Sequence, residues 1–391
     1  MASIGIAGAG LLGRLLAWQL GRAEHSVAVF DPVAGPMPMF AGSHAQHGTG
    51  DGMAPLALSA SQNYSQQHAA AFTAAGMLCP LAELEHAEPT TAVLGWRSIA
   101  LWREIVAQLP IAPYFSERGS LLLAHRQDRA AAERVLARIA RGMQCPVWQA
   151  AGVPDKPSAL SVTQLAALEP CVSGAAHAWL LSGEGQIDAV ATMLALHADA
   201  RNVQWRWCEP VLSIVPGCLH TSAGAQRFDW VFDMRGTGAA PELPVRGVRG
   251  EMVWLHAPGL GLQRPARLLH PRHKVYIVPR PGDVVLVGAS EIESEDRSPM
   301  SLRSAVELMA AAHSVMPALA EARIIRMDTN LRAALPDNAP IVEVTKGLVR
   351  INGLFRHGWL LAPALIEQVL QQTGLWRAVG VQDFTHQEEI V

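Results

Sequence analysis

The sequence predicts an α/β protein of the mixed α+β kind, with a Rossmann-type dinucleotide-binding domain and a strand-rich second domain. The first observation is a short apolar strand, Ser3–Ala7, that leads into a glycine-rich turn at residues 8–13 and a helix through about residue 20. The second is another strand at residues 26–30, which ends at Asp31. The third is a cluster of strands between residues 203 and 288. A chain of 391 residues is also long enough for about two domains.

The elements after residue 31 follow from apolar periodicity, caps and breakers. Residues 32–68 are rich in Gly, Ala, Met, Ser, Gln and His and have no sustained period, which predicts a long loop or insertion that the core does not need. Helices are predicted over residues 69–78, 94–109, 128–141, 161–168, 188–199, Leu302–Val315 and 360–372. Strands are predicted over residues 119–124, 176–181, Val203–Trp207, 212–215, 219–222, Trp230–Asp233, 250–255, 275–279, Val284–Gly288, a segment ending near 332, and Leu348–Asn352, with turns at 183–188 and 353–358.

Composition excludes several classes of protein. Lys and Arg number 31 against 34 Asp and Glu, so the net charge of −3 offers no basic field for nucleic acid or an anionic membrane. The apolar N-terminus, residues 4–20, lacks a basic leading segment and contains Arg14, so neither a signal peptide nor a membrane span is expected. His44, His47 and His68 lack ligand spacing, so no metal is expected. The cysteines are odd in number and widely spaced, which argues against disulfides and favours a reducing, cytoplasmic compartment; they are Cys79, Cys145, Cys171, Cys208 and Cys218.

The turn after the first strand carries the Gly-x-Gly-x-x-Gly pattern of a dinucleotide site. Gly8 permits the tight turn, Gly10 lets a pyrophosphate approach the backbone, and Gly13 lets the helix pack on the strand. The helix N-terminus offers N–H groups and a partial positive charge to the phosphates, so Ala9, Leu11 and Leu12 are also candidate contacts. A carboxylate at Asp31 can accept both ribose hydroxyls. The pattern does not separate NAD from FAD, and a glycine-rich turn without a ligand is the alternative.

Several later segments resemble the D-amino acid oxidase (DAO) superfamily, and most closely glycine oxidases of the ThiO type. The resemblance covers nearly the whole chain except residues 32–68, a stretch longer than the family usually has, and the segment after Arg332 departs from the family's usual Arg-Pro. The matching segments are 73–78 (TAAGML), 183–188 (GEGQID), 233–239 (DMRGTGA), Lys274–Arg280 (KVYIVPR), 330–332 (NLR) and 354–363 (LFRHGWLLAP).

The resemblance implies FAD as the cofactor and assigns roles to residues. It places the substrate carboxylate on Arg332, Arg356 and Tyr276, and either arginine could instead form an internal ion pair. The N-terminal amides of the helix after Gly358 would face the flavin. Besides the glycine turn and Asp31, the implied cofactor contacts are Thr73, Ala74, Ala75, Gly76, Met77, Val211, Gly236, Gly238, Phe355, His357, Gly358, Trp359 and Leu360.

The resemblance also implies the domain division and the activity. Residues 1–90, 185–245 and 330–375 would form the FAD-binding domain, and residues 91–184 and 246–329 the substrate domain. The expected activity is oxidation of the C–N bond of a small amino acid or amine to an imine, with O2 reduced to H2O2, in support of thiamine thiazole synthesis. The alternatives are a flavoprotein that oxidises a residue of a partner protein during its maturation, and a cofactor-binding protein without catalysis. A homo-oligomer is left open.

Overall fold

The computed structural model describes residues 1–35, 69–151, 156–269 and 274–375, so most of the predicted 32–68 loop lies outside the described residues. The helices are α1 (Leu11–Arg22), α2 (Pro80–Glu83), α3 (Pro89–Gln108), α4 (Arg129–Met143), α5 (Pro146–Ala150), α6 (Val162–Leu168), α7 (Ala189–Asp199), α8 (Leu302–Val315) and α9 (Gly358–Thr373). The strands are β1 (Ser3–Ala7), β2 (Ser26–Asp31), β3 (Met77–Leu78), β4 (Phe115–Ser116), β5 (Ser120–Ala124), β6 (Ser158–Leu160), β7 (His177–Leu181), β8 (Gly185–Ile187), β9 (Val203–Trp207), β10 (Val211–Val215), β11 (Cys218–Thr221), β12 (Gly224–Arg227), β13 (Trp230–Asp233), β14 (Arg246–His256), β15 (Ala266–Leu269), β16 (Lys274–Arg280), β17 (Val284–Gly288), β18 (Arg323–Ala334), β19 (Ile341–Thr345) and β20 (Leu348–Asn352).

A six-stranded sheet in the order β19-β20-β13-β1-β2-β9 contains the predicted dinucleotide unit. All neighbours in it are parallel except β19 and β20. Parallel strands need crossover connections, and α1 supplies the one between β1 and β2. The carboxyl ends of β1, β2, β13 and β20 therefore lie at one edge of the sheet, which is where open α/β sheets bind ligands.

An eight-stranded sheet in the order β18-β14-β17-β16-β15-β5-β7-β6 makes up the strand-rich part of the fold. Its neighbours are antiparallel except β15 and β5. Its apolar face, with Val253, Ile277 and Val287, packs against Leu308 and Val315 of α8. The domain boundaries stay a prediction, and β18 crosses the one expected at residue 330.

Helices α1, α3, α7 and α9 contribute to one apolar core with the six-stranded sheet. Trp102 of α3 is fully buried and donates its indole N–H to the carbonyl of Trp359 at 2.8 Å. Arg14 of α1 is also fully buried and donates to the carbonyls of Ala9 at 2.8 Å and Met193 at 3.0 Å. This buried arginine holds the backbone of the glycine turn in place through the Ala9 carbonyl. The charged residue within the apolar N-terminus therefore has a structural role.

Two sequence-based predictions are wrong. Residues 69–78 form a 3-10 turn at Ala70–Thr73 followed by extended chain, where an α-helix was expected from the small residues. Gly76 adopts a φ of +58°, and a Cβ there would lie 2.1 Å from the carbonyl oxygen of Ile187, so packing against β8 overrides helix propensity. The predicted 183–188 turn contains β8, which pairs with both β3 and β4.

Several element ends also differ from those expected. Helix α3 begins at Pro89, five residues before the predicted start, because proline fits the first position of a helix. The two threonines that follow have low helix propensity, so the sequence did not indicate this first turn. Ser161 and Asp188 cap α6 and α7 as predicted. No helix among the described residues is long and apolar enough to cross a membrane. All five cysteines fall in the described ranges and are free thiols.

Candidate functional site

A cavity of about 1150 Å³ lies at the carboxyl edge of the six-stranded sheet. Chain segments that follow β1, β2, β13 and β20 line it on one side, and residues of β14, β16 and β18 line it on the other. Every predicted site residue except Gly13 contributes to the lining. The sequence motifs, which lie up to 350 residues apart along the chain, therefore converge on one cavity.

The glycine turn has the geometry that a diphosphate requires. Gly8 has a φ of +104°, and a Cβ there would lie 2.5 Å from the carbonyl oxygen of Met234. A Cβ at Gly13 would lie 1.9 Å from the carbonyl oxygen of Gly8, which explains why Gly13 supports the turn without reaching the cavity. Gly10 is different, because its nearest neighbour for a Cβ is Ala69 at 3.9 Å and the space beyond is cavity.

The N-terminus of α1 supplies unused hydrogen-bond donors to this cavity. Gly10 is the N-cap residue and no side chain caps the helix. Within the described part of the chain, the N–H groups of Leu11 and Leu12 have no acceptor, and both residues line the cavity. Unpaired N–H groups and the helix dipole at this point fit a bound phosphate.

Asp31 ends β2 beside the glycine turn. Its Oδ2 accepts the N–H of Ala9 at 2.7 Å, and its Oδ1 accepts the N–H of Val33 at 3.1 Å. Each carboxylate oxygen can accept a further hydrogen bond. The two backbone contacts therefore fix the carboxylate in an orientation that leaves capacity for ribose hydroxyls.

The segment 73–77 runs along the cavity from the 3-10 turn that ends at Thr73 to the start of β3 at Met77, and the side chain of Arg280 holds it in place. The Arg280 side chain is buried and donates to the carbonyl of Ala75 and to Gln186 Oε1, the latter at 3.2 Å. Burial lowers the pKa of Arg280, and distant Asp188 offsets part of that effect. The carbonyl of Gly76 accepts the N–H of Ile187 at 2.9 Å. These contacts present the small residues of the segment to the cavity in a fixed conformation.

A second helix N-terminus faces the cavity. Phe355 has a φ of +49°, which turns the chain before α9, and its N–H donates to the carbonyl of Ala333 at 2.9 Å. His357 is the N-cap residue, and its side chain makes no cap bond. Gly358, Trp359 and Leu360 line the cavity, and their N–H groups have no acceptor among the residues that the structure describes. Such donors stabilise negative charge on a ligand.

The remaining predicted cofactor contacts follow β9 and β13. Val211, at the start of β10, and Gly236 and Gly238, in a 3-10 turn after β13, all line the cavity. Asn352, at the end of β20, donates to the carbonyl of Gly236 at 3.0 Å. This bond joins the two turns at the carboxyl edge of the sheet.

Arg332 and Tyr276 are brought together at the other side of the cavity. Arg332 lies close enough to Tyr276 for its charge to affect the Tyr276 hydroxyl, and its Nη1 donates to the carbonyls of Ser290 at 3.1 Å and Arg249 at 3.4 Å. Burial raises the pKa of Tyr276, and Arg332 offsets part of that rise, so the hydroxyl is protonated at neutral pH. Among the described residues no carboxylate forms an ion pair with Arg332.

Arg356 lines the same cavity but has an internal partner. Its Nη2 lies 2.8 Å from Oε2 of Glu83, an oxygen that also lies 2.9 Å from His357 Nε2, while Arg267 lies 3.3 Å from the other oxygen. Burial alone would raise the pKa of Glu83, but Arg267, His357 and Arg356 hold it well below its usual range. The guanidinium of Arg356 is thus engaged in the internal ion pair that was the alternative to a substrate contact.

Replacing Glu83 with glutamine is expected to lower the free energy of unfolding by about 3 kcal/mol, because two largely buried guanidinium groups lose a shared partner. The pKa of Glu83 is lower in the folded protein than in the unfolded chain. Its contribution to the free energy of unfolding is therefore present at neutral pH and is lost as pH falls through the folded-state pKa. Urea unfolding at several pH values measures both effects.

The control for this variant is Glu367→Gln, which breaks the more exposed pair with Arg97 and should cost less than about 1 kcal/mol. The difference in the free energy of unfolding between wild type and Glu83→Gln should become smaller at acidic pH. A loss as small as that of Glu367→Gln, or one that does not change with pH, would show that the network does not stabilise the fold.

Sequence reasoning missed six charged residues that line the cavity, which are Glu83, Arg235, Glu251, Arg267, Glu291 and Arg297. Glu83 and Arg267 pair across 184 positions, and Arg297 reaches the cavity from the loop between β17 and α8. No local spacing connects Glu83 to Arg267. One feature of the sequence could have indicated Arg297, which is the only basic residue between residues 289 and 301. No group of three or more potential metal ligands occurs within the described ranges.

Comparisons with known proteins agree with this geometry. The family model for DAO, FAD dependent oxidoreductase, matches residues 3–370. Over 301 residues the chain is 36% identical to an oxidoreductase of Rhizobium etli that is named for thiamine biosynthesis, ThiO; the match covers 76% of this chain and 83% of that relative.

Two solved structures share the fold. The glycine oxidase of Geobacillus kaustophilus has a TM-score of 0.74 at 22% identity, with 97% of this chain and 99% of that chain covered. The iminodiacetate oxidase of Chelativorans sp. BNC1 has a TM-score of 0.76 at 22% identity, with 96% and 97% covered. The cavity fits FAD, with a glycine turn and two helix N-termini for negatively charged groups and an acid for the ribose. Because the family model also matches nearly the whole chain, the chain belongs to the DAO family of FAD-dependent oxidoreductases.

Proposed function

We propose that the protein oxidises the C–N bond of a small amino acid, with glycine as the first candidate. The observation that carries the proposal is the position of Arg332, which lies in the cofactor cavity beside a protonated Tyr276 and has no carboxylate partner among the described residues. A half-buried guanidinium without a counter-charge is costly unless a ligand supplies one. An amino acid brings such a carboxylate.

The guanidinium is held ready for a planar anion. Its Nη1 is fixed by the carbonyls of Ser290 and Arg249, and a Cβ at Gly250 would lie 2.6 Å from the Arg332 head group, so the guanidinium lies against the β14 backbone. The remaining N–H groups can bind both oxygens of a carboxylate. Tyr276 adds a hydroxyl donor. These contacts would orient the substrate carbon and its nitrogen toward the cofactor.

When bound, FAD would supply the redox chemistry, which is acceptance of a hydride from the carbon that bears nitrogen and reduction of O2 to H2O2. The chain's own contribution is to bind, orient and exclude water. The glycine turn and the N-terminus of α1 would hold the diphosphate, Asp31 the ribose, and residues 73–77 and 355–360 the ring system. The N–H groups of Gly358 to Leu360 would favour negative charge that develops on the ring during reduction.

The relatives support a small amine-bearing substrate. One is named for thiamine biosynthesis, one is a glycine oxidase and one is an iminodiacetate oxidase. We infer from the first that supply of an imine for thiamine thiazole synthesis is the role to test. Glycine and iminodiacetate share a CH2 group between a nitrogen and a carboxylate. Arg332 would therefore serve either substrate in the same way.

Anaerobic addition of glycine to the purified, FAD-loaded protein should bleach the visible absorbance of the flavin, and admission of air should restore it with formation of H2O2. Methylamine, which lacks the carboxylate, is the matched control and should bleach the flavin far more slowly. Bleaching by neither glycine nor other free amino acids, but by a peptide or protein, would replace this proposal with oxidation of a partner protein.

A further inference from the structure

The sequence has an unusual gap in positive charge around the cofactor turn. No Lys or Arg occurs between Arg22 and Arg97, a stretch that contains Asp31 and the 73–77 segment. The diphosphate of FAD carries negative charge, and the N-terminus of α1 contributes only a partial positive charge. Any full counter-charge for the diphosphate therefore comes from outside residues 23–96.

Among the residues that the structure describes, five arginines line the cavity, and three of them form ion pairs. Arg235 is ion paired with Asp233 and Glu242, each at 2.8 Å. Arg267 and Arg356 share Glu83. Arg332, which donates to the carbonyls of Arg249 and Ser290, is already assigned to the substrate carboxylate by the proposed function. The fifth is Arg297, which makes no ion pair with any of the described residues.

The contacts of Arg297 connect it to the glycine turn. Its Nη1 donates to Oδ1 of Asn330 at 3.2 Å, and Nδ2 of Asn330 donates to the carbonyl of Ala69 at 3.3 Å. The Cβ of Ala69 is the nearest atom to the position that a Cβ at Gly10 would take, at 3.9 Å. Arg297 is thus linked to Gly10, where a pyrophosphate would approach the backbone, through Asn330 and Ala69.

The loop that carries Arg297 is fastened on both sides of it. Ile292 and Arg249 exchange backbone hydrogen bonds at 2.9 and 3.0 Å. Oε1 of Glu295 accepts the N–H of Gly247 at 2.8 Å, and the carbonyl of Pro299 accepts from Arg249 at 2.9 Å. The loop is therefore attached to β14. Arg297 lies on this loop and reaches the cavity from the strand-rich part of the fold.

We propose that Arg297 is a diphosphate-binding residue. Its guanidinium would supply the full positive charge that the N-terminus of α1 does not, so that the glycine turn and the loop after β17 would both hold the cofactor. Asn330 positions the guanidinium, since it bonds both Arg297 and the Ala69 carbonyl. A planar, permanently charged fork suits two phosphate oxygens.

Replacing Arg297 with glutamine should weaken FAD binding to the apoprotein by about 10- to 100-fold, as expected for loss of one charge-assisted contact. Quenching of flavin fluorescence measures the Kd at several NaCl concentrations, and the salt dependence should become shallower in the variant. In competition experiments ADP should lose affinity by a similar factor, whereas adenosine, which has no phosphate, should not.

Arg297→Lys should recover part of the affinity. Arg303→Gln, which removes a more remote surface arginine paired with Glu307, is the matched control and should bind FAD normally. Circular dichroism of the apoproteins checks that each variant is folded. Unchanged FAD and ADP affinity in Arg297→Gln, or an equal loss for adenosine, would overturn the proposal. So would a fall in kcat/KM for glycine with normal FAD affinity, because that result would place Arg297 at the substrate.

Discussion

Replacing Arg332 with alanine is expected to lower kcat/KM for an amino acid by roughly 30- to several-thousand-fold, because truncating one partner of a desolvated charge pair costs about 2–5 kcal/mol. The physical reason is the environment of Arg332, whose hydrogen-bond partners within the described residues are two backbone carbonyls and no carboxylate. Steady-state kinetics with glycine and with methylamine measure the effect and its dependence on the carboxylate.

Three controls separate carboxylate binding from other losses. Arg332→Lys should recover only part of the activity, because one ammonium group cannot reproduce the two-pronged contact. Flavin content should stay normal in both variants, since the hydrogen bonds of Arg332 go to β14 and to the loop after β17 and not to the glycine turn. If alanine weakens oxidation of glycine and methylamine equally, Arg332 does not bind the carboxylate.

The dinucleotide unit could be predicted from the sequence because its signals are local. Residues 3–31 contain the strand, the turn, the helix and the acid in consecutive order, and each has a short-range cause: apolar runs for β1 and β2, glycines for the turn, and a run of helix-forming apolar residues for α1. The same holds for the Ser161 and Asp188 caps. The convergence of distant segments on one cavity came from the family resemblance, since no local spacing encodes it.

The parts that could not be predicted depend on long-range contacts. Residues 69–78 have the composition of a helix, yet Gly76 must pass close to Ile187, more than 100 positions away. Arg356 was expected to bind either the substrate or an internal carboxylate, and the choice depends on Glu83, which lies 273 positions away. A one-dimensional pattern indicates that a buried charge needs a partner, but only the fold identifies it.

The second large effect is expected at the glycine turn, where Gly10→Val should abolish FAD uptake. Gly10 has an extended conformation that valine adopts readily, with φ −71° and ψ −165°, and its Cβ would meet only Ala69 at 3.9 Å. The apoprotein should therefore fold normally, while the side chain occupies the space that the pyrophosphate needs. Absorbance of the purified protein after incubation with FAD, together with the Tm of the apoprotein, measures the two parts of the expectation.

Gly13→Val is the informative comparison, because both variants place the same side chain in the same turn. A Cβ at Gly13 would lie 1.9 Å from the carbonyl oxygen of Gly8, so this variant should lose Tm as well as FAD. Only Gly10→Val should separate cofactor binding from folding. Normal flavin content in Gly10→Val would show that the diphosphate does not bind at this turn. A loss of Tm equal to that of Gly13→Val would show that Gly10 is needed for packing instead.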